Sequence, residues 1–137
     1  MSSIDGIRLN LLLFSVGGVH FGMDAEQAAA ITGYHGEEAE DLFWFHEEIG
    51  FGGATLAYSA PTIVTIRGED SLSYRVIIDK MEDIAEISSV DIQSFPLLVE
   101  SLALRKGMWG VTVREGRMVL LIDFTRLLRH KSGTAYI

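Results

Sequence analysis

The residues with the most chemical potential are the four histidines and nineteen acidic side chains, and the chain has no cysteine. The absence of cysteine rules out disulfides, thiolate metal sites and a cysteine nucleophile. His35, His46, Glu47 and Glu48 form the one cluster with the look of a metal site. A zinc-binding helix needs His-Glu-x-x-His so that both imidazoles project from one turn. Here the second histidine position is Gly50, and the pattern fails. Glu37, Glu38, Glu40 and Asp41 lack the spacing of an EF-hand, so they read as a solvated acidic loop. Gly50-Phe51-Gly52-Gly53 resembles half of a phosphate loop but has neither its lysine nor a following helix, and reads as a bend. No Gly-x-Ser-x-Gly elbow is present. Asp79, Glu82, Asp83 and Glu86 could pass for paired catalytic carboxylates, but their position at the end of a strand predicts solvated surface groups screened by Lys80. His20 is expected to face outward from a strand, His130 to lie near a helix C-terminus, and Trp109 to line a core or groove. No constellation for catalysis emerges, and no metal or cofactor is expected.

The elements that would position these groups are mostly strands. Leu12–Val16 and Val19–Met23 flank Gly17-Gly18, a pair able to take the positive φ that a two-residue hairpin turn requires. Val19, Phe21 and Met23 then share one face, with His20, Gly22 and Asp24 on the other. Thr62–Ile66 with Tyr74–Ile78, and Met108–Val113 with Arg117–Ile122, repeat the hairpin pattern. Short helices are expected at Asp24–Ala30, at Pro96–Leu104 and at Phe124–His130, the last capped by Asp123. The expected class is all-β with few short helices.

Length and charge narrow the function classes. A chain of 137 residues makes one domain with a real core. Residues 1–104 carry 4 Lys/Arg against 17 Asp/Glu, and residues 105–137 carry 7 against 2. The net charge of −8 argues against nucleic acid, which is held by concentrated positive charge. The longest apolar run, Met118–Ile122, is far below the roughly 20 residues of a membrane helix. Nor does the N-terminus have the charged and apolar regions of a secretory signal. The expectation is a cytoplasmic protein without direct membrane insertion.

The ordered pattern resembles the CheW-like domain of bacterial chemotaxis signalling. Leu12–Asp24 is similar to that family's opening hairpin. Tyr74–Ile84 and Asp91–Pro96 resemble its middle segment, and Gly110-Val111, Glu115–Asp123 and Leu127-Leu128 its closing one. The resemblance implies two small five-stranded β-barrels with a short C-terminal helix, in a single domain over 1–137. On that reading residues 9–52 form the first barrel, 53–123 the second and 124–137 the helix and tail. It also implies a non-catalytic adaptor in a two-component pathway, coupling a CheA-type histidine kinase, chemoreceptor cytoplasmic domains, or both.

The chain departs from the family in the first barrel. A stretch the length of one hairpin, with its Asn-Leu-Arg-Gly sequence, is absent, and the family's Val-x-Glu-Ile reads Ala28-Ala29-Ala30-Ile31. The family's receptor-facing Glu and Arg are therefore not found, and receptor coupling does not transfer residue by residue. A barrel without a hairpin leaves backbone groups unpaired beside the gap. Ala28, Ala30, Leu42, Phe43, Trp44, Phe45 and His46 are the candidate partner-binding residues, with self-association expected through residues 40–51. The alternative is a small-molecule- or metal-binding β-barrel regulator using His35, His46 and neighbouring acids.

Overall fold

The computed structural model describes residues 6–50, 56–67 and 74–129. Among the described residues nine strands and three short helices follow one another: β1 (Arg8–Val16), β2 (Val19–Asp24), β3 (Ala28–Gly33), β4 (Leu42–Trp44), α1 (Phe45–Ile49), β5 (Pro61–Ile66), β6 (Tyr74–Asp79), β7 (Met81–Ser88), α2 (Leu97–Arg105), β8 (Met108–Arg114), β9 (Arg117–Ile122) and α3 (Phe124–Leu127). They form a five-stranded sheet in the order β7-β1-β2-β9-β8 and a four-stranded sheet in the order β3-β5-β6-β4. The all-β expectation is met.

All three hairpins lie where the alternation puts them. Gly17 and Gly18 have φ of 61° and 82°, the left-handed pair that lets β1 turn directly into β2. β5 pairs with β6 and β8 with β9, both antiparallel. The sheets are not sorted by the segments 9–52 and 53–123: β1 and β2 join β7, β8 and β9, whereas β5 and β6 join β3 and β4. The crossing occurs at a single residue. β6 ends at Asp79, β7 begins at Met81, and Lys80 between them takes a left-handed φ of 44°.

From Leu11 to Phe14 β1 is continuously apolar because both of its faces are buried there. Leu12, Phe14 and Val16 join the core between the sheets, with Phe21, Met23, Phe45, Val64, Ile66, Val76 and Ile78. Leu11 and Leu13 enter a second core inside the five-stranded sheet, with Ala85, Ile87, Val119 and Leu121. Gly22 packs there too, where an added Cβ would meet the side chains of Leu121, Leu13 and Val119 at 3.3–3.4 Å. Trp109 packs against this second core.

Three local readings change. Asp24 does cap a helical turn, accepting from the Glu26 N–H, but the turn is a 3-10 turn of three residues, Ala25–Gln27. Ala28–Gly33 then becomes strand, because pairing with β5 outweighs the weak helix preference of an alanine run. Leu42–Gly50, whose aromatic start suggests one strand, divides into a three-residue strand and a helix whose inward residues, Phe45 and Ile49, are one turn apart. Asp79 is no surface carboxylate. It is 4% exposed, accepting from the backbone N–H groups of Ser59 at 3.1 Å and Ala60 at 2.6 Å. Glu82, Asp83 and Glu86 are exposed, as expected. α2 runs Leu97–Arg105, close to expectation, and α3 is capped by Asp123 with Leu127 and Leu128 buried. His130 and residues 51–53 of the expected bend lie outside the described residues.

Candidate docking site

Five of the candidate partner-binding residues sit on the two edge strands of the four-stranded sheet, Ala28 and Ala30 on β3 and Leu42, Phe43 and Trp44 on β4, while Phe45 and His46 open α1. The inner strands of that sheet, β5 and β6, are flanked by β3 on one side and β4 on the other. β3 pairs antiparallel with β5 from Ala28↔Ile66 to Gly33↔Thr62, with a bulge between Ala28 and Ala30. The extra residue reverses the alternation, so Ala28 packs toward the core while Ala30 lies exposed on the opposite face. From Ala29 to Gly33 every residue of β3 is exposed.

β4 is short and runs parallel to β6, with Leu42↔Arg75, Phe43↔Val76 and Trp44↔Ile77 in register. Its aromatic rings are engaged within the chain. Trp44 meets Tyr34 edge-on at 5.3 Å and Tyr58 at 4.9 Å, while Phe43 lies 5.8 Å from Tyr74. Phe45 is fully buried, 5.2 Å from Phe14 and 4.8 Å from Phe21. Of the run expected to self-associate, Leu42, Phe43, Trp44 and His46 keep partial exposure.

His46 and His35 serve different local purposes. The Tyr58 hydroxyl accepts from the His46 backbone N–H at 3.2 Å and lies 3.0 Å from its Nδ1. The Glu37 carboxylate accepts from the His35 backbone N–H at 2.6 Å. Among the described residues no group of three or more His, Asp or Glu side chains is placed to hold a metal ion. Asp41 leaves the solvated loop that the sequence suggested and holds Arg75 in a two-pronged pair at 2.9 and 3.0 Å. The guanidinium holds the Asp41 carboxyl below its usual range, and Asp41 in turn raises Arg75.

Burial pushes the Tyr58 hydroxyl up to about 12, with the His46 N–H opposing the shift and the Asp79 and Glu47 charges adding to it. Its neutral form is the one the fold favours. The stabilisation is therefore complete below the ordinary value of 10.0 and fades as pH rises toward 12. Discounted for partial exposure, it amounts to about 1 kcal/mol. Tyr58→Phe is expected to flatten the decline in melting temperature between these pH values, measured by circular dichroism. An unchanged alkaline slope would mean another group governs that limb.

Two further surfaces were not singled out from sequence. Leu97, Leu98 and Leu102 on α2 are 88%, 93% and 57% exposed, a cluster of large apolar groups facing water. Part of the signal was available, since the sequence Leu97–Arg105 is apolar on several sides; that only Ala103 is buried comes from the packing. The second is a groove of about 570 Å³ beside β7 and β8, lined by Arg8, Glu86, Asp91, Gln93 and Arg114 among others.

The chain superposes on the crystal structure of the scaffolding protein TtCheW from Thermoanaerobacter tengcongensis with a TM-score of 0.68 and 13% identity, covering 89% of this chain and 88% of that one. The fold is CheW-like. No family model matches the sequence, and no curated protein matches it. The likeness is thus carried by architecture rather than by sequence. No described helix is long and apolar enough to cross a membrane.

Proposed function

We propose that this chain is a non-catalytic adaptor of chemotaxis-type signal transduction. It acts in the cytoplasm by holding a CheA-type histidine kinase, a chemoreceptor cytoplasmic domain, or both, through protein–protein contacts. The observation that carries this reading is the fold shared along nearly the whole chain with a protein described as a scaffold. The surfaces support it. An adaptor needs shaped, accessible faces, and this chain presents an open strand edge at β3 and an apolar patch on α2. The candidate contact residues are Ala28, Ala30, Leu42, Phe43, Trp44 and His46, which keep exposed or partly exposed positions on the four-stranded sheet and at the start of α1. Phe45 acts behind them by anchoring α1 in the core.

The test is capture from native lysate with the tagged full chain, followed by mass spectrometry. Recovery of a CheA-type kinase or a chemoreceptor is the expected result. Recovery of neither, under conditions that retain a known adaptor–kinase pair, would overturn the reading.

A further inference from the structure

The hydrogen-bonding phase of β3 can be worked out residue by residue. At one end the Arg67 N–H donates to the Gln27 carbonyl, and at the other the Tyr34 N–H donates to the Pro61 carbonyl. Between them the register runs Ala30↔Thr65, Ile31↔Val64, Thr32↔Ile63 and Gly33↔Thr62. Hydrogen-bonded and non-bonded pairs alternate along an antiparallel ladder. Ala30 and Thr32 therefore bond to β5, and the N–H and C=O groups of Ile31 and Gly33 point away from it. β3 ends the sheet order, so among the described residues no strand meets those groups.

This edge has none of the usual guards against pairing. Residues 28–33 contain no charge and no proline, and the bulge lies near the start, leaving Ala30–Gly33 regular. Its surroundings are acidic. Glu26 precedes the strand, and Glu37, Glu38 and Glu40 follow it, all exposed; Arg67 beside the first end is bonded to the Glu26 carbonyl. A second copy is a poor occupant. Antiparallel self-pairing centred on Ile31 would bring Glu26 beside Glu37 of the other chain, and each chain carries a net −8.

We propose that the open edge of β3 docks an extended segment of a partner protein, an uncharged strand flanked by lysines or arginines. Backbone bonds to Ile31 and Gly33 supply the added strand, and the acidic residues at both ends select the flanks. This deepens the adaptor reading and rests on it for the existence of a partner. Its test uses a synthetic segment, so the two can fail separately.

The probe is a peptide with a Thr-Val-Thr-Val-Thr-Val core between paired lysines, added to the full chain. Amide exchange at Ile31 and Gly33 is expected to slow at least tenfold, with Ala30 and Thr32 unaffected. Methylating the core amides, or replacing the lysines by glutamates, is expected to weaken binding at least tenfold. Ile31→Pro removes an N–H that β5 does not use, so it should abolish binding while leaving the melting temperature close to wild type. Should that variant not fold, Glu26→Lys combined with Glu38→Lys tests the charge rule, by reversing the preference to the glutamate-flanked peptide. Binding that is indifferent to amide methylation, or to both sets of variants, would overturn the proposal. So would protection of Ile31 and Gly33 that rises with the chain's own concentration, since the occupant would then be a second copy.

Discussion

Phe14→Ala is expected to lower the unfolding free energy by about 3–5 kcal/mol, the range for deleting a buried aromatic ring. The ring is fully buried where the two sheets and two of the helices meet. It stacks on Phe21 at 5.5 Å, meets Phe45 edge-on at 5.2 Å and lies 6.2 Å from Phe124. These neighbours are contributed by β2, α1 and the start of α3, so they are fixed by separate parts of the chain and cannot all relax into the space left. Domains of this size have roughly 5–15 kcal/mol of stability, and the variant would retain a small margin or none. Denaturant titration measures the loss. A decrease below about 1 kcal/mol would contradict the placement of Phe14 at the centre of the shared core.

Asp79→Ala carries the second large effect, about 2–3 kcal/mol, because it leaves two backbone donors without their charged acceptor. Those donors, Ser59 and Ala60, lead into β5, and Asp79 itself pairs with Pro61 at the start of that strand. The carboxylate thus ties the approach of β5 to the end of β6, immediately before the chain crosses to the other sheet at Lys80. Asp79→Asn keeps one oxygen acceptor and should recover about half of the loss. Equal stability of Asp79→Ala and the wild type by thermal melting would show that the pocket holds without it.

These two residues illustrate what could be read before any coordinates. Phe14 was legible because it lies in an extended apolar run next to a Gly-Gly turn, and both signals depend on nearest neighbours in sequence. Asp79 was not. Its partners lie about twenty residues upstream, in a loop whose backbone donors no side-chain pattern announces. The same holds for Gln27, which appeared to be part of a helix start and instead reaches Asp123 and the Phe124 N–H, fastening β3 to α3. The opposite facing of Ala28 and Ala30 was not legible, since the bulge that sends one inward and the other outward depends on pairing with β5. In residues 42–46, aromatic content pointed to a surface, whereas contacts with Tyr34, Tyr58 and Tyr74 occupy much of it within the chain. The exposed leucines of α2 were placed on the right element, but their exposure depends on how that helix lies against β8 and α3.

The most direct measurement of the adaptor role is reconstitution. Autophosphorylation of a CheA-type kinase is followed with receptor-containing membranes, in the presence and absence of this chain. Coupling predicts that the chain raises kinase activity above the level of kinase and membranes alone, and that the gain disappears when receptors are omitted. Identical activity with and without the chain, at concentrations that saturate a known adaptor, would contradict it.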